Sequence, residues 1–494
     1  MLLACILLAA AAAAWFVATD RLRPARPEFT AQIAGQTTAD LTSGDAGRVR
    51  AAIAWPQAWE LDPQIVSGLA GSALELDSGS FREVTPALAT VRGTLGGTGY
   101  TFYLVPRSGR WLLFDGLADT VQPAFAAARA PQRPAPRARV GTTGWNCSDT
   151  GFYRDNADED GELGGVPKAQ LPTGTHPTPQ LGSVQPVILT YGGTGNPAAV
   201  EALASAITEK LDSAVYFFDH TLVNDVWAGD TALAGCLAAY IDAVARGLGD
   251  PVVVALSTGG LAVRYANDMI IEDRRIDRSL AGIVTVNTPH LGSPFGGGWS
   301  TDAPDVLRRL GLGSWHAWPS PDRGSARCLA PRQPATDMVE DCADEPPYVR
   351  AVVHQIVGEI SIRRSVLQWG EQADSIHGDG LVSTQSQSGY NVSGPPHRLS
   401  PEQTPPTVLD CGVTRADLLR EVVGFGARAT SAFTDAYLIT PDPSALIDLS
   451  LDEVPLTALP VAAAAERAAT CSHTNILTDP RTVQAVLDAV ADLR

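Results

Sequence analysis

At 494 residues, 45% hydrophobic and 18% charged, the chain has the balance of a folded globular protein and is long enough for two or three domains. A formal net charge of −18 argues against a nucleic-acid binder, whose affinity rests on Lys and Arg neutralising phosphates. Lysine is confined to Lys168 and Lys210, a bias we read as genomic composition.

Residues 1–18, MLLACILLAAAAAAWFVA, form an uninterrupted apolar run at the short end of a membrane span. Its poly-Ala tract also suits a cleavable signal peptide, but no Lys or Arg precedes it. We expect a membrane anchor over 1–19, with the remainder extracytoplasmic, or secreted if the run is cleaved. Residues 28–119 read as a small α+β domain without cysteine. Its first half reads as helix and loop, and LATVRGTLGGTGYTFYLVPRSGRWLLFDG as three strands joined by glycine-containing turns. Residues 120–145 hold the Pro/Arg-rich linker APQRPAPRARVG.

From residue 146 to 494 the pattern becomes α/β. Apolar runs VILTY (187–191), AVYFF (214–218), VVVAL (252–256), GIVTVN (282–287) and VVHQIVG (352–358) predict strands. Ala-rich amphipathic segments at about 197–212, 230–247 and 260–272 predict helices between them. Strands apolar on both faces that alternate with helices imply a parallel sheet covered on each side, a three-layer sandwich. Two insertions interrupt it: 292–350, rich in Gly, Pro and Trp, and 386–470, Pro/Ala-rich with one or two helices. Six cysteines lie beyond residue 145, which in an exported chain suggests up to three disulfides, Cys328–Cys342 closing the shortest loop. Free buried cysteines are the alternative.

Catalytic groups in open parallel sheets collect at the carboxyl ends of the strands. Ser257 stands there, one residue after VVVAL and just before a helix, with Ala255 and Gly259 small enough for a tight strand-to-helix turn. A serine nucleophile needs a base, an acid and oxyanion donors. Asp379, between Gly378 and Gly380, is the expected acid, with Asp374 and Glu359 as fallbacks. His473, just before a final helix capped by Asp479-Pro480, is preferred as base over His397 in a Pro-rich loop. The glycine-rich turn after VILTY offers the Gly193 N–H as one oxyanion donor, and the Thr258 N–H as the other. That turn lacks the ending of a phosphate loop and the third glycine of a dinucleotide fingerprint. No Cys or His spacing suits zinc, so no cofactor or metal is expected.

In order, VILTYGGTGN, VVVALSTGGLAVRYA, GIVTVNTPHLGSP, GDGLVS and CSHTNILTD resemble the signature segments of α/β-hydrolase lipases and esterases. Thr288-Pro289-His290-Leu291-Gly292-Ser293 is similar to a turn of many bacterial lipases and of the acyltransferase and inositol-deacylase branches. Tyr191 stands where a His-Gly pair usually opens the oxyanion loop, and Leu256 where His often precedes the nucleophile. The resemblance implies an α/β-hydrolase fold with cap or lid insertions and a triad of Ser257, Asp379 and His473. It also implies an ester or lipid substrate cleaved through an acyl-enzyme, with His290 a structural turn residue. Trp299, Trp315 and Trp318 would belong to a lid or acyl-binding cap, with core packing or a surface loop as the alternative role. Acyl transfer to a lipid or sugar with the same residues is one alternative, and an inactive hydrolase-fold binding module at the cell envelope another.

Overall fold

The structure is a computed structural model. It describes residues 28–54, 61–85, 88–107, 110–119, 143–177, 184–191, 197–223, 226–293, 328–329, 346–363, 373–375, 378–379, 382, 384–389, 399, 404–414 and 468–494. The apolar run 1–18, the linker, Gly193, His397, Cys342 and the three tryptophans of the 292–350 insertion lie outside these residues.

Helices α1 (Ala31–Leu41), α2 (Ala46–Ala52) and α3 (Pro63–Leu69) precede an antiparallel sheet. Its strands are β1 (Leu74–Thr85), β2 (Leu88–Leu95), β3 (Thr98–Arg107) and β4 (Arg110–Ala118), paired in sequence order. Each helix is capped by a side chain that accepts a backbone N–H: Thr30 from Ile33, Asp45 from Arg48 and Asp62 from Gln64. Gly96 and Gly97, at φ 57° and 82°, make the two-residue turn between β2 and β3, a conformation costly for other residues. The helices pack Leu41, Val49, Ile65 and Leu69 onto Val91, Phe102, Leu104 and Leu113 of the sheet. Strand β1, LELDSGSFREVT, was not among the expected strands. It is an edge strand, polar at most positions, with a register shift between Asp77 and Arg82.

Among the described residues, the second sheet has nine strands. Its parallel centre is β10 (Ser213–Asp219), β9 (Val184–Tyr191), β11 (Val252–Leu256), β14 (Gly282–Val286) and β15 (Val353–Arg363), in that spatial order, with β17 (Thr407–Thr414) parallel to β15. The antiparallel β8 (Thr173–Thr175) and β5 (Thr143–Asn146) extend one side, and β16 (Ala373–Ser375) pairs antiparallel with the upper part of β15. Two short hairpins, β6 (Glu162–Leu163) with β7 (Val166–Pro167) and β12 (Ile270–Ile271) with β13 (Arg274–Arg275), lie outside both sheets.

Alternate side chains of the central strands enter opposite cores, as the pleat requires. Ile188, Val253, Ala255 and Ile283 pack with α5 (Cys236–Leu248) and α6 (Thr258–Asn267). Val187, Leu189, Val252, Val254, Val284 and Val286 pack with α4 (Pro197–Leu211) and α8 (Pro480–Asp492). All five expected strands and all three expected helices are present, the second helix opening with a π turn at Thr231–Gly235. Among the described residues, only Thr231–Leu248 is long and apolar enough to cross a membrane, and it is mostly buried in the core. The 386–470 segment, expected to be a Pro/Ala-rich insertion with one or two helices, supplies β17 to the sheet, and its residues 415–467 lie outside the described residues. Disulfides join Cys147 to Cys236 and Cys411 to Cys471, and Cys328 is also disulfide-bonded.

Candidate active site

Strand β11 is buried at all five positions and ends abruptly at Ser257. There the backbone turns to φ 51° and ψ −132°, a left-handed conformation that costs a non-glycine residue on the order of 1–3 kcal/mol. Two hydrogen bonds hold it. The Ser257 N–H donates to the Val286 carbonyl at 2.9 Å, and the Gly260 N–H donates to the Ser257 carbonyl at 3.0 Å. Helix α6 starts at the next residue, and Ser257 does not cap it with its side chain. The hydroxyl is instead raised from the sheet edge.

Small residues behind the turn follow from this geometry. A Cβ on Gly259 would sit 3.3 Å from the Thr190 carbonyl oxygen, and one on Gly260 would run into the Thr288 side chain. Of the small residues here, Gly260, and not Ala255 or Gly259, is the tightest position. Ala255 is fully buried between Thr190 and Thr285 of the neighbouring strands, so a methyl group fits there.

The expected base and acid meet Ser257 at this edge. Ser257 Oγ lies 2.8 Å from His473 Nε2, and His473 Nδ1 lies 2.8 Å from Asp379 Oδ2. The Asp379 side chain is fully buried and that of His473 nearly so. An ionised carboxylate can only accept, so Nδ1 carries the proton it donates to Asp379, and a neutral ring leaves Nε2 to accept from the serine. The pair is joined again through the backbone, where the His473 N–H donates to the Asp379 carbonyl at 3.0 Å. Asp379 Oδ1 accepts the Val382 N–H at 2.8 Å, and the Asp379 N–H donates to the Val382 carbonyl at 3.1 Å. Such a relay can take a proton from a serine hydroxyl and hold the imidazolium that results.

Other candidates fall elsewhere. Glu359 stands on β15 opposite Asp410, and Asp374 on β16 opposite Ile362, while the bond to His473 comes from Asp379. The Thr258 N–H is at the first turn of α6, beside Ser257. His290 is buried in the turn after β14, its Nε2 3.4 Å from Thr285 Oγ1. Burial, helped by the Arg264 charge, pushes its pKa well below 6.5, which keeps the ring neutral. Among the described residues no group of three His, Cys, Asp or Glu is placed to hold a metal ion.

The sequence reading missed His220, which follows β10 at the same edge of the sheet. Its Nδ1 lies 3.4 Å from Thr190 Oγ1, and burial lowers its pKa to about 4 against the opposing pull of Asp219. Nothing in the local sequence distinguishes it from an exposed histidine, because its burial is a product of the strand order.

The chain thus has an α/β-hydrolase fold, read from a parallel sheet covered by helices on both faces and a sharp strand-to-helix turn at its carboxyl edge. No protein-family model and no curated protein matches the chain. Solved structures that overlap it include the mature form of Bacillus licheniformis lipase BlEst2, 13% identical over 55% of this chain and 98% of that one, with a TM-score of 0.27. YbtT, a type II thioesterase from the yersiniabactin biosynthetic pathway, is 15% identical over 53% of this chain and 97% of that one, TM-score 0.27. Aspergillus fumigatus lipase B is 12% identical over 71% and 72% of the two chains, TM-score 0.25. At such scores the overlaps carry no argument about chemistry, which rests on this chain's own residues.

Proposed function

We propose that this protein is a serine hydrolase that cleaves carboxylic esters of acyl or lipid-like substrates. The observation that carries the reading is the continuous chain of hydrogen bonds from Ser257 Oγ through His473 to the buried Asp379. In the reaction, His473 Nε2 takes the hydroxyl proton as Ser257 Oγ attacks the ester carbonyl. Asp379 keeps the ring in the required tautomer and stabilises the imidazolium. The N–H groups of Thr258 and Gly193 receive the oxyanion, favoured further by the positive end of α6. The protonated His473 then gives its proton to the departing alkoxide, leaving an acyl group on Ser257. Water, deprotonated by the same ring, attacks that acyl group, and His473 returns the proton to Ser257 Oγ as the acyl–oxygen bond breaks and the acid is released.

The same reading assigns residues 28–119 to an accessory domain and residues 146–494 to the hydrolase domain. Five cysteines in disulfides, Cys147, Cys236, Cys328, Cys411 and Cys471, favour folding in an oxidising compartment, in keeping with residues 1–18 as an export anchor or signal.

Labelling with a fluorophosphonate probe tests the assignment. Wild type should be labelled and Ser257→Ala should not, with ester turnover falling by about 10⁴-fold or more in the variant. Labelling of both proteins, or of neither, sinks it. Nitrophenyl esters of increasing chain length then measure the depth of the acyl pocket. Competition between water and an added alcohol acceptor separates hydrolysis from acyl transfer.

A further inference from the structure

Strand β15 changes partners along the edge that faces β14. It pairs with β14 through Ile356, where the Asn287 N–H donates to the Ile356 carbonyl, and it pairs with β16 again from Ser361. Between these stretches the backbone of Gly358 is buried and, among the described residues, has no strand paired with it on that edge. Two side-chain amides take the missing strand's place. Gly358 N–H donates to Gln387 Oε1 at 2.8 Å and to Asn287 Oδ1 at 2.9 Å, and the Gly358 carbonyl accepts from Gln387 Nε2 at 3.0 Å. The remaining Nε2 hydrogen of Gln387 goes to the Val382 carbonyl at 2.8 Å. Val382 is the residue whose N–H holds Asp379 Oδ1.

Gln387 therefore spends both of its donors and its acceptor on two segments, the strand and the acid loop. It is 1% exposed, so water is no substitute. It stands on α7 (Thr384–Ser388), which is itself fixed to the turn after β14. Ser386 Oγ donates to the Gly292 carbonyl and accepts from the Leu291 N–H, and the His290 N–H donates to the Ser386 carbonyl. Gly358 is needed for a related reason, since a Cβ there would run into the Cys471 carbonyl, two residues before His473.

We propose that Gln387 is a positioning residue for the proposed catalytic acid: by bridging Gly358 to Val382 it fixes the direction in which Asp379 meets His473. The inference rests on the serine-hydrolase reading and adds to it a residue that touches neither substrate nor the reacting atoms. An amide is required here because only an amide offers donors and an acceptor without charge. A carboxylate would lose both donors and set a second negative charge near Asp379.

The test uses the full chain with Gln387→Met, which keeps the volume and removes the hydrogen bonds, and Gln387→Glu, which keeps the shape. In Gln387→Met, kcat for a nitrophenyl ester should fall about 10²-fold with KM within about twofold, as expected when a catalytic group is misaimed and binding is spared. The acid limb of its kcat/KM profile should move to lower pH, because a displaced Asp379 stabilises the imidazolium less. Gln387→Glu should also lose kcat. The far-downfield proton resonance of His473 Nδ1 should shift or disappear in both. Wild-type turnover and an unmoved pH limb in a folded Gln387→Met overturn the proposal. So does loss of the folded state in both variants, since Gln387 would then hold the sheet and not aim the acid. If the wild type itself neither turns over esters nor takes the fluorophosphonate, the hydrolase reading fails. The His473 proton resonance still decides whether Gln387 directs Asp379.

Discussion

Gly260 contributes by having no side chain, because any Cβ at that position collides with Thr288 on the turn after β14. Thr288 is buried and cannot step aside without moving the loop that follows the strand beside β11. Gly260→Ala should therefore cost about 1–3 kcal/mol, read as a lower urea midpoint at an unchanged slope. A midpoint equal to that of wild type would show that the turn yields freely. In the proposed reaction Asp379 acts by charge and tautomer together. Asp379→Asn can keep the contact with His473 only by presenting its amide N–H₂ or by reversing the ring's proton. Ester turnover should fall about 10³–10⁴-fold while fluorophosphonate labelling becomes slow but measurable. His220 belongs to stability. Its pKa of about 4, against an ordinary 6.5, means that the unfolded chain binds more protons between those values, so stability rises with pH across that window. The full contribution is present above pH 6.5 and shrinks as the pH falls toward 4. Its size is on the order of 3 kcal/mol. Urea midpoints measured from pH 4 to 7 should flatten in His220→Asn, and parallel curves for the two proteins would remove His220 as the cause.

The element that carries His473 is a loop tied at both ends. Cys471 is bonded to Cys411 on β17, and the Thr470 hydroxyl donates to Asp479 Oδ2 at 2.8 Å. Asp479 caps α8 through the Arg481 N–H at 2.9 Å, with Pro480 in the first turn, as the Asp-Pro pair in the sequence suggests. Burial raises the carboxyl's pKa, but hydrogen bonds from Arg481 and Thr470 outweigh it, so the group stays ionised and the helix stays capped. Asp479→Ala removes the cap and the Thr470 acceptor at once. It should destabilise the fold by about 1–2 kcal/mol, and a thermal melt coincident with that of wild type would contradict this. What the sequence could reveal follows the same division. The strands with apolar runs, the turn at Ser257 and the loops bearing Asp379 and His473 are legible because strand, breaker and chemistry are adjacent in the chain. Strand β17, TVLDCGVT, is not, since its residues suit a strand only once β15 lies alongside. Gln387 and Asn287 carry no local signal, because a buried amide is told from an exposed one only by the backbone it meets.

At the scale of the molecule, the strands of the large sheet come from segments spread from β5 at residue 143 to β17 at residue 414, with α8, ending at 492, packed on them, and the disulfides shorten those distances in the unfolded state. Cys147–Cys236 spans 89 residues, from the end of β5 to the start of α5, and Cys411–Cys471 spans 60, from β17 to the loop of His473. In the chain-entropy account, loops of these lengths are each worth about 4–5 kcal/mol. That is large beside the roughly 5–15 kcal/mol by which a domain is usually stable. All four cysteines are buried, Cys147, Cys236 and Cys471 completely, so a reductant has no access to the sulfurs in the folded protein. Dithiothreitol alone should therefore leave turnover intact for as long as the chain stays folded, and inactivation should follow the rate of unfolding instead of the reductant concentration. Protein reduced in urea and then diluted should show a much lower urea midpoint and little activity, since the His473 loop has lost its tie to β17. Thiol titration over time, with and without urea, measures both effects. Rapid appearance of free thiols from these cysteines without urea, or an unchanged midpoint after reduction, would show that the bonds neither lie in the core nor support it.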